Sequence, residues 1–186
     1  MSTSGNTEDQ ALLSALALAM VYQPRAPLQE LAKAAGISKA TLYRFCKTRE
    51  QLHEELFNHA IKAINGSIQS ANLRHEEPGK ALRQLIKNAV AQSELTIFLV
   101  HYWKNNVVEH QMQAHWQQAL DAFFLRGQQL GAFRIDIPAA ALTELYASTL
   151  TGLLDAKHRG RVAKVGLPTL LETVFLQGIS NKEESK

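Results

Sequence analysis

The 186-residue sequence predicts an all-α protein of about nine helices. Apolar residues recur three or four positions apart along nearly every segment, and no stretch alternates as a strand would. All five prolines (Pro24, Pro27, Pro78, Pro138 and Pro168) fall where one helical pattern stops or the next begins, positions that proline tolerates. Serine, threonine and glycine stand at several other boundaries, where capping needs them.

The first helix is expected from about Thr7 to Tyr22, with Leu12, Leu16 and Ala19 on one stripe and residues 1–7 frayed ahead of it. Leu28, Leu31 and Ala32 form the inner face of a second helix. Ala35-Gly36-Ile37-Ser38 then makes a turn: Gly36 can take a left-handed conformation, Ile37 fills the angle between helices, and Ser38 caps the next helix. In that short third helix Leu42 and Phe45 lie three apart and are expected inward. Lys39, Ala40, Thr41, Tyr43 and Arg44 are thereby left outward. That outer face combines positive charge, hydrogen-bonding groups and one small residue, the needs of a helix that enters a DNA groove. Thr48-Arg49-Glu50-Gln51 is a capping box that opens a long fourth helix, 49–72, with Leu52, Leu56, Ala60, Ala63, Ile64, Ile68 and Ala71 on one face.

Glu76-Glu77-Pro78 opens a fifth helix with Leu82, Leu85, Ile86 and Ala89 inward, and Ser93 or Glu94 starts an apolar segment through Leu95 to Trp103. A seventh helix runs roughly from Gln111 to Leu130 and stops at Gly131. Pro138 opens an eighth, striped by Leu142, Leu145, Tyr146, Thr149, Leu150, Leu153 and Leu154. After a basic stretch, Lys157 to Lys164, read as a solvated turn, Pro168 opens a ninth with Leu170, Leu171, Val174 and Phe175. The expected division is a three-helix DNA-binding unit, 8–50, the fourth helix as connector, and a second helical unit, 51–180.

Composition excludes several classes. The chain is 46% hydrophobic and 20% charged, ordinary for a globular domain, and no run reaches the ~18 apolar residues of a membrane helix. The opening MSTSGNTEDQ lacks the basic region of a secretory leader, and one cysteine, Cys46, excludes an internal disulfide, so the expected location is the cytoplasm. Cys46 itself reads as a packing residue rather than a redox sensor. No GxSxG, Walker A, GxGxxG or HExxH motif occurs, so no catalytic residue is assigned and the chain is read as a non-enzyme. His101, His110 and His115 lie nine and five apart, unlike helical ligand pairs, and no metal or other cofactor is expected.

Charge is distributed unevenly. From Arg25 to Arg49 six basic residues face one acid, Glu30, whereas residues 63–186 hold 13 basic and 11 acidic. A net charge of +3 says little about partners, but its concentration around the turn is the electrostatic footprint of a polyanion-binding surface.

AKAAGISKATLYRFCKTREQL, residues 32–52, resembles the helix-turn-helix and capped fourth helix of the TetR family of bacterial repressors. GQQLGAFRIDIPAAALTELYASTLTGLLDA, residues 127–156, is similar to the segment leading into that family's dimer-forming helix. The resemblance covers about residues 8–178. Within the family, ALDAFFLRGQQLGAFRID and TGLLDAKHRGR are most similar to repressors of multidrug efflux operons.

The resemblance implies DNA contact by Lys39, Ala40, Thr41, Tyr43 and Arg44, with Lys39 and Arg44 toward base edges and Thr41 and Tyr43 toward phosphates. Arg49 matches a backbone-contacting position, and Lys47 adds positive charge. Relatives often carry a hydroxyl residue at the start of the second helix. Here Ala26-Pro27 replaces it, and Gln29 is the substitute. The resemblance also implies a homodimer on a palindromic operator, paired through Leu150, Leu153, Leu154, Val174 and Phe175, and released by a small hydrophobic or cationic effector. Most aromatic residues of the middle segment must serve as core. Phe98, His101, Tyr102, Trp103, Trp116 and Phe123 are nevertheless the candidates to line a pocket for planar apolar molecules. A regulator of metabolic genes with a metabolite effector, and a helical adaptor that does not bind DNA, are the alternatives.

Overall fold

The structure, a computed structural model, describes residues 3–102 and 107–180. Among them run nine helices: α1 (Thr3–Tyr22), α2 (Leu28–Ala34), α3 (Lys39–Phe45), α4 (Arg49–Ala71), α5 (Pro78–Ala91), α6 (Ser93–Tyr102), α7 (Val107–Gln129), α8 (Ala139–His158) and α9 (Leu167–Ile179). No strand forms among the described residues, and Phe133 and Ser180 make an isolated bridge. The all-α expectation is borne out. The boundaries differ most at α1, which begins at Thr3 within residues expected to fray, and at α7, which begins at Val107 rather than near Gln111. An apolar stripe locates the middle of a helix better than its ends. No helix among the described residues is long and apolar enough to cross a membrane.

The chain divides into two compact units, residues 1–65 with 92–102, and residues 66–91 with 103–186. The division falls inside α4 and groups α6 with α1 to α3.

In the first unit Leu16, Leu31, Leu42, Leu52, Leu56, Leu95, Phe98 and Leu99 are fully buried, one or more from each helix. Each such side chain stabilises the fold by about 1.5–3 kcal/mol. Tyr102 ties α6 to α1 by donating from its hydroxyl to the Met20 carbonyl at 2.8 Å. Its ring lies 4.8 Å from that of Phe98 and meets His53 edge-on at 5.0 Å.

The second unit is built around aromatic rings from four segments. Phe123 and Phe124 of α7 lie 5.1 Å apart, each 5.7 Å from Phe133, and Phe175 of α9 lies 6.0 Å from Phe124 and 5.8 Å from Tyr146 of α8. Burial pushes the Tyr146 phenol above its ordinary pKa. A side chain at Gly127 would place its Cβ 2.1 Å from the Phe133 ring, so that ring rests directly on the α7 backbone. The helix ends as expected at Gly131 (φ 72°), whose N–H donates to Gln128, while the Ala132 N–H reaches back to Gly127. Gln128 then holds the following loop by donating to the carbonyls of Arg134 (2.8 Å) and Ile137 (2.7 Å). Arg134 donates its N–H to Ile179 at 2.8 Å, closing the loop against the end of α9.

Candidate nucleic-acid interface and ligand cleft

The turn between α2 and α3 is set by three residues. Gly36 takes φ 72°, donating its N–H to Lys33 at 3.1 Å, and the Ile37 N–H reaches back to Ala32 at 2.9 Å. This pair of bonds satisfies the last carbonyls of α2 and needs a residue at ease with positive φ. Ser38 then caps α3: its Oγ accepts the Thr41 N–H at 3.0 Å and pairs with the Thr41 hydroxyl at 2.8 Å. Thr48 caps α4 by accepting the Gln51 N–H at 3.1 Å. The Gln51 side chain, however, accepts from the Lys47 N–H rather than from Thr48, so the reciprocal half of the box is displaced by one residue. Pro27 opens α2 without a side-chain cap, and its carbonyl accepts from Glu30 and Leu31.

Of the seven residues of α3 only Leu42 is buried. Lys39, Ala40, Tyr43 and Arg44 are exposed, as are Gln29 on the first turn of α2 and Lys47 beyond α3. The Lys39 ammonium sits 5.5 Å from the centre of the Tyr43 ring, so the aromatic face helps to hold one cation of the outer surface. Thr41 is half-buried, and its hydroxyl serves the cap. Arg49 is also half-buried: its Nη2 donates to the Pro24 carbonyl at 2.7 Å, bracing the start of α4 against the α1–α2 connection.

One expectation for this helix is corrected. Phe45 is not inward but 37% exposed, and Cys46, at 4%, is buried instead. The helix stops at Phe45 and the chain becomes extended at Cys46 (φ −148°), which carries the next side chain inward. Burial, reinforced by the Glu55 carboxylate, pushes the Cys46 thiol above its ordinary pKa and disfavours the reactive thiolate.

In the second unit a cleft of about 690 Å³ is lined by the end of α4 (Ile68, Gln69), the turn after it (Asn72, Leu73, Arg74, His75) and α7 (His115, Gln118, Ala119, Ala122, Phe123, Arg126). Asn72 takes a positive φ of 49°, which asparagine tolerates better than most residues, and its carbonyl accepts from His75 and Glu76. Arg126 grips the turn from α7, donating to the carbonyls of Leu73 at 3.1 Å and Glu76 at 2.6 Å. No group of three or more His, Cys, Asp or Glu able to hold a metal occurs among the described residues.

Of the six residues expected to line a pocket, Phe123 lines this cleft. Phe98 is fully buried and Tyr102 half-buried in the first unit, and His101 of that unit is exposed. Trp116 is buried and does not face the cleft, and Trp103 lies outside the described residues. Large rings are first of all core material, which accounts for the burial of Phe98 and Trp116. Arg74 and Arg126 carry no periodic signal, and only the contact between Arg126 and the turn brings them to one place.

The residues expected to pair two subunits also divide. Leu150, Leu154 and Phe175 are 5%, 0% and 5% exposed within a single chain, so their apolar area is already used in its own core. Val174 is exposed and Leu153 half-buried. The other large apolar residues exposed on α8 and α9 are Leu145 and Leu170. The apolar stripes are broad enough to serve two faces, and periodicity alone does not divide them.

No family model matches the sequence. The chain is 48% identical over 183 residues to the HTH-type transcriptional regulator NfxB of Pseudomonas aeruginosa, covering 96% of this chain and 98% of that one. Among solved structures it resembles the TetR family transcriptional regulator PfmR of Thermus thermophilus, with a TM-score of 0.66 at 20% identity, covering 89% and 97% of the two chains. It also resembles the TetR-like transcriptional regulator LfrR of Mycobacterium smegmatis in complex with proflavine, with a TM-score of 0.63 at 19% identity, covering 95% and 98%.

Proposed function

This chain belongs to the TetR family of transcriptional regulators, and from that premise we propose that it is a repressor which binds a palindromic operator as a homodimer. The observation that carries the reading is α3, a capped helix that buries only Leu42 and turns Lys39, Tyr43 and Arg44 to solvent. Lys39 and Arg44 supply charge and base-edge donors, and Tyr43 and Lys47 meet phosphates. Arg49, tied to Pro24, acts by holding α4 in place beside them. In a twofold dimer the two copies of α3 enter major grooves ~34 Å apart or a multiple of that, so the operator repeats the protein's symmetry.

Leu145, Leu170 and Val174, with Leu153 at their side, are the residues assigned to the subunit interface. A small-molecule effector in the cleft of the second unit favours an arrangement with lower operator affinity. The cleft includes Ile68 and Gln69, on the helix whose first residue is Arg49. Resemblance to efflux repressors along residues 119–136 and 151–161 supports control of a multidrug efflux operon, by a protein of the cytoplasm without enzymatic activity.

The test is fluorescence anisotropy with a palindromic duplex taken from upstream of the protein's own reading frame. Specific, dimer-stoichiometric binding whose logarithm falls linearly with the logarithm of salt concentration is expected. Equal affinity for a scrambled duplex defeats the proposal and leaves the adaptor alternative.

A further inference from the structure

We propose that the cleft of the second unit receives a planar amphipathic anion, an aromatic carboxylate, rather than a cation. As an assignment of effector class this rests on the reading above. Two guanidinium groups, Arg74 and Arg126, and two imidazoles, His75 and His115, line the cleft, and among the described residues no aspartate or glutamate does. The acid that follows the lining turn is turned to other partners. Glu76 accepts from the Glu77 N–H at 3.2 Å and pairs with Lys80 at 3.4 Å. Asp121 lies on the side of α7 that carries Gln117, whose amide donates to Glu144 of α8 at 2.9 Å, and among the described residues this side supplies no lining residue. A cation entering the cleft meets two like charges without a counter-ion.

The site is held in shape before any ligand arrives. Arg126 spends Nε and Nη2 on the turn carbonyls, which fixes the segment carrying Arg74 and His75 while its charge remains. Arg74 is exposed and enters no ion pair among the described residues, so its fork is the one available for a bidentate carboxylate. Ile68, Leu73, Ala119, Ala122 and Phe123 provide the apolar floor for a flat ring system. The volume, about 690 Å³, lies within the usual range of small-molecule sites.

Three molecules that share one ring system and differ in charge test the proposal: 2-naphthoate, 2-naphthamide and 2-naphthylmethylammonium. Isothermal titration of the full chain is expected to rank them in that order, with naphthoate about tenfold tighter than the amide. Arg74→Gln, an exposed substitution whose folding is checked by its melting curve, is expected to remove most of that tenfold preference while leaving amide binding unchanged. Ammonium binding as tight as naphthoate, no binding of any of the three up to millimolar concentration, or an undiminished preference in Arg74→Gln each overturns the proposal. Operator anisotropy in the same samples separates the two readings. Naphthoate that binds without weakening operator affinity upholds the anion site and ends its role as effector site. Operator release by the ammonium alone does the reverse.

Discussion

In the first unit α3 buries one of its seven residues and leaves Tyr43 and Phe45 more than a third exposed, whereas in the second Phe123, Phe124, Phe133, Tyr146 and Phe175 are each 6% exposed or less. The same residue class thus does two jobs. An aromatic on a short helix with a single buried position has no core to enter and stays at the surface, as Tyr43 does beside Lys39. An aromatic on a long apolar stripe is consumed by the fold itself. Sequence proximity of tryptophans, tyrosines and histidines does not mark a pocket for that reason. The cleft of the second unit is made by a turn and the one arginine that grips it.

The contrast is sharpest if substitutions in the two places act on different measurements. Phe133→Ala removes a ring with 1% exposure that touches Phe123 and Phe124, and is expected to cost about 3–5 kcal/mol in urea unfolding. Operator affinity of the protein that remains folded is expected to stay within twofold. A variant as stable as the parent breaks the assignment of this cluster as core. Arg44→Ala is the opposite case. It is expected to weaken operator binding by about 1–3 kcal/mol and relax the preference at one base pair, while unfolding shifts by less than about 0.5 kcal/mol. Unchanged affinity removes Arg44 from the interface.

Much of the first unit is legible in the sequence because its boundaries are written in local chemistry. Gly36, Ser38 and Thr48 each satisfy backbone groups within five residues, so their roles follow from order alone. Phe45 escapes because period counts assume that the helix continues, and α3 stops there. The grouping of α6 with α1 to α3 is not legible either, since it depends on contacts such as Tyr102 with Met20, 82 residues apart. For α8 and α9 the stripes include buried and exposed positions alike, because burial inside one chain and burial between two look the same in sequence. Leu150, Leu154 and Phe175 belong to the first kind.

Ser38→Ala lies between the two extremes. The cap holds the first turn of α3, so its loss is expected to cost about 0.5–2 kcal/mol of stability. It also loosens the helix that presents Lys39 and Arg44, so operator affinity falls as well, though less than in Arg44→Ala. Restoring the oxygen with Ser38→Asp is expected to recover stability but not operator affinity, because a carboxylate stands beside the phosphates. Recovery of both by aspartate argues that this end of α3 does not approach DNA.

The smallest expected effect concerns His59 on α4. Its Nε2 is buried without a hydrogen-bond partner, and burial, with Lys62 adding to it, holds the imidazole below its ordinary pKa of 6.5. As pH falls through about 6.5 the unfolded chain takes up this proton before the folded one does, so the stability His59 contributes is full above that pH and lost below it. Half-exposure of the ring keeps the effect below that of losing the Ser38 cap. His59→Gln is expected to flatten the acid limb of the stability profile between pH 7 and 5 relative to the parent. A limb of unchanged slope means that this imidazole reaches solvent when charged. Operator affinity should follow the same limb only if protonation opens the first unit, where α4 begins and α3 is anchored.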